Sequence, residues 1–260
     1  MAVAALTMYA PPTAVSNAYQ ELAREVAQRL GIPLESPPPD LPTLWHHPQL
    51  LLAQTCGYPY VTELRPTVKL VAAPRYTLPG CEGATHCSFI LVPASSAATT
   101  LADLRGKRVA MNSPDSNSGM NLLRLAVAPL AKQGRFFSQV VESGSHAESM
   151  ARLKQGRADV AAVDAVTFGY LRRDLPELVE GLRILQRTRQ SPTLPLITAA
   201  GRTEQEVEGL REALAKTLAE RPDLAEILAI QGFDAVDEGT YLPILDWEHQ
   251  AIEQNYPTIG

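Results

Sequence analysis

The chain contains little cysteine and no long apolar run. Its three cysteines, Cys56, Cys81 and Cys87, are too few for a disulfide framework and lack the spacing of a zinc site. Cys81 and Cys87 could form one disulfide across a glycine-containing loop in an oxidising compartment, or remain reduced. We expect Cys56 to be buried and unreactive. No apolar segment approaches the roughly 20 residues that a helix needs to span a bilayer.

The amino-terminal residues 1–6 have neither a basic start nor a long apolar stretch, so they do not resemble a secretory signal. Two locations stay open on this evidence. Either the protein is cytoplasmic, or it is a periplasmic (extracytoplasmic) protein from which a leader has been removed.

Basic residues are outnumbered by acidic ones, 23 to 28, which gives a formal net charge of −5. This balance argues against a nucleic-acid-binding protein. Apolar residues make up 45% of the 260 residues, enough for one large domain or two lobes with separate cores. His46 and His47 are adjacent and would point apart on a helix, so we expect no metal site and no cofactor.

Short apolar segments alternate with amphipathic ones along the chain. Predicted strands cover residues 4–8, 50–54, 67–72, 88–92, 108–111, 140–142, 158–163, 182–185 and 194–199. Predicted helices cover residues 19–30, 148–155, 167–173, 204–219, 224–231 and 241–254, and Gly31 is expected to end the first of them. Strands separated by helices predict parallel α/β sheets.

The most informative segment is Asn-Ser-Pro-Asp-Ser-Asn-Ser-Gly-Met-Asn at residues 112–121. It follows a predicted strand and precedes an apolar helical pattern at residues 122–130. The start of a helix suits an oxyanion, because its first amides have no partner within the helix and its dipole is positive there. The spacing matches no nucleotide-binding motif.

Four residues of this loop are candidate ligand groups. Ser116, Asn117 and Ser118 supply side-chain donors, and Gly119 would let the backbone approach a ligand. A second interpretation is that Asp115 or Ser116 only caps the helix.

Two strand–turn–helix segments have counterparts later in the chain: residues 8–17 pair with 111–119, and residues 51–58 pair with 160–167. The matching order suggests two similar lobes. In open α/β sheets ligands bind beyond the carboxyl ends of the strands.

Several segments, taken in order, resemble the phosphate/phosphite/phosphonate-binding proteins of ABC transporters. They are Leu-Ala-Asp-Leu-Arg-Gly-Lys-Arg-Val-Ala at 101–110, Asp-Ser-Asn-Ser-Gly at 115–119, Gly-Ser-His at 144–146 and Gly-Arg-Ala-Asp-Val-Ala-Ala-Val-Asp at 156–164. The likeness covers nearly the whole chain. It implies the α/β type II periplasmic-binding fold: two lobes, each a mostly parallel sheet flanked by helices, that close on a ligand in the cleft between them.

The resemblance also implies domain boundaries and site residues. Lobe 1 would comprise residues 1–92 plus 195–260 and lobe 2 residues 93–194, with crossing strands near 89–93 and 189–195. The ligand-binding positions of the family fall on Ser116, Asn117, Ser118, His146 and Asp164, and approximately on Tyr9 and Tyr58 in lobe 1. The chain departs from the family at Asn117, where threonine is frequent, and at Cys56.

Four of these positions have alternatives. His146 either donates to an anion, which predicts tighter binding toward pH 6, or is the first residue of a helix capped by Ser145. Asp164 either caps a helix or faces the ligand, in which case it favours an amine or a protonated oxyanion. Tyr9 and Tyr58 form either a pocket wall or part of the core.

The sequence therefore predicts the solute-binding component of an ABC importer. It would capture a small oxyanion such as phosphate, phosphite or a phosphonate and deliver it to a membrane permease, as a monomer. One alternative is a ligand-sensing domain for a signalling partner. The other is an enzyme on the same fold, but its only candidate pair, Ser116 with His146, has no acid to orient it, so we expect no enzymatic activity.

Overall fold

The computed structural model describes all residues from Met1 to Gly260, and the chain divides into two compact units. Unit 1 consists of Met1–Thr77, Cys81–Thr85 and Pro192–Tyr241. Unit 2 consists of Leu78–Gly80, His86–Ser191 and Leu242–Gly260. No helix is both long and apolar enough to cross a membrane.

The secondary structure alternates between strands and helices. The strands are β1 (Val3–Ala5), β2 (Leu50–Gln54), β3 (Val68–Tyr76), β4 (Cys81–Glu82), β5 (Thr85–His86), β6 (Ser88–Pro93), β7 (Arg108–Met111), β8 (Gln139–Glu142), β9 (Val160–Asp164), β10 (Leu182–Arg187), β11 (Ser191–Pro192), β12 (Leu196–Ala199) and β13 (Ile230–Asp234). The helices are α1 (Thr13–Arg29), α2 (Leu41–Trp45), α3 (Gly57–Pro59), α4 (Leu122–Val127), α5 (His146–Lys154), α6 (Ala165–Asp174), α7 (Glu204–Glu220), α8 (Pro222–Ile227), α9 (Glu238–Tyr241) and α10 (Pro243–Glu253).

Unit 1 is built on a five-stranded sheet in the order β1-β2-β12-β3-β13. Every residue of β2 is buried, which fits its continuous Leu-Leu-Leu-Ala-Gln sequence. The long helices α1 and α7 pack against each other, and each buries apolar residues at helical spacing, for example Leu22 and Val26 of α1.

Unit 2 contains a second five-stranded sheet in the order β10-β6-β9-β7-β8. Strands β7, β8 and β9 run parallel to one another, and α4, α5 and α6 follow their carboxyl ends. The candidate ligand residues of the predicted second lobe therefore emerge at one edge of this sheet. A third sheet consists of the two-residue strands β11, β5 and β4, which the sequence did not predict.

The α/β fold class is confirmed, and most strands of each five-stranded sheet run in one direction: β12 and β13 are reversed in unit 1, and β6 is reversed in unit 2. Strand β12 lies antiparallel between β2 and β3, and β6 lies antiparallel between β9 and β10. Both inserted strands follow a point where the chain passes from the other unit. The alternation of strands and helices does not reveal such an insertion, because it reports only which elements are consecutive.

The domain boundaries differ from the expected ones in four segments. Residues 78–80, 86–92 and 242–260, which were expected in lobe 1, belong to unit 2, and residues 192–194, which were expected in lobe 2, belong to unit 1. Strand β6 pairs with β9 and β10 of unit 2. The carboxyl-terminal segment is held in unit 2 by hydrogen bonds, including one from the Asn121 amide to the Ile244 carbonyl oxygen.

Several local predictions are confirmed and two are wrong. Strands β2 and β7 have the predicted bounds, and Gly31 follows α1 with a φ of 66°. The helix predicted at residues 224–231 ends at Ile227, and β13 then begins at Ile230 and pairs with β3. None of the three cysteines is in a disulfide, and Cys56 is only half-buried.

Candidate functional site

The serine-containing loop begins where β7 ends and leads into a wide helical turn, Asn117–Asn121, that continues as α4. Ser116 caps this turn, since its hydroxyl oxygen accepts a hydrogen bond from the Gly119 amide at 2.9 Å. The capping interpretation of Ser116 is therefore correct. The hydroxyl can still donate its proton to another group, so capping and ligand binding are compatible.

Ser118 connects the loop to two other elements by hydrogen bonds. Its hydroxyl oxygen lies 2.9 Å from Nε2 of His146, at the start of α5. The hydroxyl of Ser88, at the start of β6, donates to the Ser118 carbonyl oxygen at 2.9 Å. The structure thus gathers Ser116, Ser118 and His146, three of the predicted site residues, into one hydrogen-bonded group.

The structure confirms that His146 begins a helix, and donation of its imidazole to an anion stays a prediction. It is the first residue of α5, which Ser145 caps by accepting from the Glu148 amide at 3.1 Å. It also faces the serine loop. Burial lowers the pKa of the His146 imidazole, and the charge of Asp164 only partly opposes this effect. Its Nδ1 atom is buried without a hydrogen-bond partner.

Asp164 is a buried helix cap. Its carboxylate accepts hydrogen bonds from the Val166 and Thr167 amides at 2.9 and 3.0 Å and from the Thr167 hydroxyl, and one oxygen lies 3.0 Å from Nδ1 of His86. Burial alone would raise the pKa of Asp164, but the His86 interaction and these hydrogen bonds hold it well below its ordinary value. With these donors on its oxygens, the cap interpretation is favoured over direct ligand contact.

Asn117 and Gly119 play different roles from those expected. The Asn117 side chain donates to the Ser191 hydroxyl oxygen at 2.7 Å and accepts from the Asn121 amide at 3.2 Å. A Cβ atom on Gly119 would lie 1.7 Å from Oδ1 of Asn112 and 3.1 Å from Cε1 of His146. Glycine is therefore required by neighbouring side chains of the protein, which occupy the space that was expected to face a ligand.

The two predicted tyrosines lie in unit 1. Tyr9 is 3% exposed, stacks on Tyr19 with ring centroids 5.8 Å apart, and meets the edge of Tyr76. This environment favours a core role for Tyr9. Tyr58 lies in α3, directly after β2, and is half-buried, so part of its ring is accessible.

Sequence reasoning missed three polar residues next to the serine loop and Asp164: His86, Ser88 and Asn112. His86 pairs with Asp164, 78 residues away. The buried Oδ1 of Asn112 has no hydrogen-bond partner and approaches Gly119. In the sequence, the only sign of their role is a position at or next to the start or end of a strand. Many residues with purely structural roles share that position.

Residues 4–241 match the family described as ABC transporter, phosphonate, periplasmic substrate-binding protein. The chain belongs to this phosphonate-binding family. Its α/β fold is that of two-lobed type II periplasmic-binding proteins. No curated protein sequence matches the chain.

Solved structures share the fold of this phosphonate-binding family member at low sequence identity. PhnD1 from Prochlorococcus marinus (MIT 9301), in complex with methylphosphonate, has a TM-score of 0.80 and 14% identity, with 97% of this chain and 98% of that chain covered. The phosphonate-transporter binding protein PA3383 from Pseudomonas aeruginosa has a TM-score of 0.77 and 17% identity, covering 100% and 90%. XAC2383 from Xanthomonas citri, bound to ATP, has a TM-score of 0.71 and 18% identity, covering 97% of both chains.

Proposed function

We propose that this protein is the solute-binding component of an ABC importer and that it binds a small phosphorus oxyanion at the serine loop. The observation that carries the proposal is the hydrogen-bonded group of Ser116, Ser118 and His146 at the start of the Asn117–Asn121 turn. Hydroxyl and imidazole donors suit phosphoryl oxygens, and the helix dipole favours negative charge at the same point.

The number of donors is consistent with useful affinity. Each hydrogen bond to a charged partner contributes about 1.5–3 kcal/mol. Donors from Ser116, Ser118, His146 and the first-turn amides would together offset the cost of association and leave binding in about the micromolar range.

The environment of Asp164 restricts the chemical class of the proposed ligand. An amine-bearing ligand needs an acceptor with free lone pairs, but the Asp164 oxygens already accept from two amides, the Thr167 hydroxyl and His86. The ligand that we propose is therefore a phosphorus oxyanion without an amino group, such as methylphosphonate, phosphite or phosphate. PhnD1, which has the same fold, is solved in complex with methylphosphonate.

The remaining predicted contacts stay predictions. We propose Tyr58 as an aromatic contact for the ligand, whereas the tyrosine rings that surround Tyr9 favour a core role for that residue. The closure of two lobes on the ligand, and delivery to a permease, likewise belong to the proposal. A hydrolytic function is not favoured, because a Ser118–His146 pair would need an acid at Nδ1, which has no hydrogen-bond partner.

Calorimetric titration of the protein with methylphosphonate, phosphite, phosphate, 2-aminoethylphosphonate and sulfate tests the proposal. We expect binding of at least one of the first three at about micromolar Kd and weaker binding of the last two. Equal or tighter binding of 2-aminoethylphosphonate would contradict the ligand assignment. Absence of binding to all three preferred anions would contradict the function.

A further inference from the structure

The serine loop is hydrogen-bonded to three segments at which the chain enters or leaves unit 2. The chain crosses between the units at residues 77/78, 80/81, 85/86, 191/192 and 241/242. Close to the last three crossings, Ser88 donates to the Ser118 carbonyl oxygen, the Asn117 amide donates to Ser191, and the Asn121 amide donates to the Ile244 carbonyl oxygen. A loop that only bound a ligand would not need these three attachments.

The contact between Asn117 and Ser191 is the shortest of the three at 2.7 Å. Both side chains are almost completely buried, with exposed fractions of 3% and 1%. Removing one partner would leave the other buried without its hydrogen bond, which is costly in a site that water does not reach.

The amide of Asn117 serves as a two-ended connector. Its nitrogen donates to Ser191, and its oxygen accepts from Asn121 at 3.2 Å. A single hydroxyl would have to make both contacts through one atom. The amide therefore gives the loop two separate attachment points.

Beyond Asn121, the connection continues to the carboxyl terminus. The buried side chain of Arg124 donates to the Asn121 side-chain oxygen and to the Pro257 carbonyl oxygen, each at 2.7 Å, and lies 3.2 Å from Glu248. These groups tie the carboxyl-terminal segment of unit 2 to the helix that begins at the serine loop.

We propose that Asn117 is a positioning residue that couples occupancy of the serine loop to the crossing at Ser191. Asn117 holds the loop hydroxyls in their binding geometry and transmits any shift of the loop to the segment where the chain leaves unit 2. The inference rests on the proposed function, since it assumes that the loop binds the anion. It assigns the Asn117 side chain a role other than ligand contact.

A double-mutant cycle with Asn117→Ala and Ser191→Ala tests this coupling. Methylphosphonate affinity is measured by calorimetry for the wild type, both single variants and the double variant. We expect each single variant to bind about tenfold more weakly, because the loop loses its attachment, and the double variant to lose no more than the weaker single variant. Losses that add would show that Asn117 and Ser191 act separately and would overturn the proposal.

Hydrogen exchange of the free protein supplies a readout that does not depend on ligand. We expect Ser191→Ala to speed amide exchange in the peptide that covers residues 116–121 by about tenfold. The matched control is Thr198→Val, since Thr198 is also a buried hydroxyl residue but belongs to unit 1, where it donates to the Leu50 carbonyl oxygen at 3.0 Å. Unchanged exchange in Ser191→Ala, or equal acceleration in the control, would overturn the proposal.

These results separate failure of the coupling from failure of the proposed function. The proposed function fails if the wild-type protein binds none of methylphosphonate, phosphite and phosphate. The coupling fails if the wild type binds but the variant comparison shows additive losses or unchanged exchange. If Asn117→Ala does not fold, the methylphosphonate affinity and the hydrogen-exchange pattern of Ser191→Ala test the coupling by themselves.

Discussion

The hydroxyl oxygen of Ser118 lies 2.9 Å from Nε2 of His146, 28 residues later in the chain. Ser118 belongs to the turn that follows β7, and His146 begins the helix that follows β8. Because β7 and β8 are parallel neighbours, their carboxyl ends meet at one edge of the sheet. Two consecutive strand–helix units therefore place a hydroxyl and an imidazole at a single point.

Ser118→Ala should weaken methylphosphonate binding at least tenfold, because the loop loses a hydroxyl donor to a charged ligand. The free protein should also lose about 1–3 kcal/mol of stability, because Nε2 of His146 loses its hydrogen-bond partner. Calorimetry and urea denaturation measure the two effects. Ser116→Ala should additionally cost about 1 kcal/mol of stability because it removes the cap of the turn. If the double variant Ser116→Ala with Ser118→Ala keeps the wild-type affinity, the serine loop is not part of the binding site.

Binding should tighten as pH falls through the pKa that His146 has in the complex. Burial lowers the pKa of the free protein's imidazole, so His146 is neutral at neutral pH. A bound oxyanion stabilises the cation and raises this pKa. The affinity should therefore keep rising as the pH falls below about 6.5, the ordinary pKa of histidine, rather than level off there.

His146→Gln is the control for this pH dependence, because the ligand also titrates. The ratio of wild-type to variant affinity should increase by about tenfold between about pH 7.5 and pH 5.5. Calorimetric titrations across this range give the ratio. A constant ratio would show that His146 does not gain its proton on ligand binding.

Asp164→Asn should destabilise unit 2 by about 3 kcal/mol at pH 7, since it breaks a buried pair with His86 and weakens the cap of α6. The folded-state pKa of Asp164 lies below its unfolded value of about 4. Its contribution is thus fully present above about pH 4 and is lost as pH falls below that value. Urea denaturation from pH 3 to pH 7 measures the difference.

The matched control for Asp164 is Asp159→Asn. Asp159 also pairs with a cation, Arg108, at 2.8 Å, but its side chain is 35% exposed. Solvent screening limits such a pair to about 1 kcal/mol or less. Equal losses for the two variants would contradict the special role of the buried carboxylate.

Gly119→Ala should cost about 2 kcal/mol or more, because the new Cβ would lie 1.7 Å from Oδ1 of Asn112. The double variant Asn112→Ala with Gly119→Ala should recover part of the loss, since the clashing amide is gone. Thermal and urea denaturation measure both. In contrast, Gly209→Ala in α7 should be neutral or stabilise by up to about 1 kcal/mol, because its nearest neighbour, Leu30, lies 3.7 Å away.

Local structure was the part of the fold that could be predicted from residue patterns. The continuous apolar run of β2, the strand β7 and the end of α1 at Gly31 all follow from short-range preferences. Short-range preferences do not predict the structure of the segment at residues 224–231 correctly. Its apolar residues suit a helix, but Ile230 pairs with Tyr76 of β3, and a partner this distant leaves no trace in the local pattern.

The candidate site was also only partly predictable. Ser116, Ser118 and His146 stand out because hydroxyls and an imidazole follow predicted strands at helix starts. The inward orientation of Asn117 and the pairing of His86 with Asp164 do not, since each depends on a residue more than 70 positions away. The local sequence is the same whether such a side chain contacts a ligand or another side chain of the protein.

Residue patterns alone establish an α/β protein with a capped, serine-rich helix start suited to an oxyanion. These features depend on hydrogen bonds and apolar spacing within about one helical turn. Long-range packing sets the antiparallel insertion of β6 and β12 and the place of residues 242–260 in unit 2. It also gives Asn117 and Asp164 their protein partners. Those outcomes depend on which distant segments pack together, and that choice is made by burial over the whole chain.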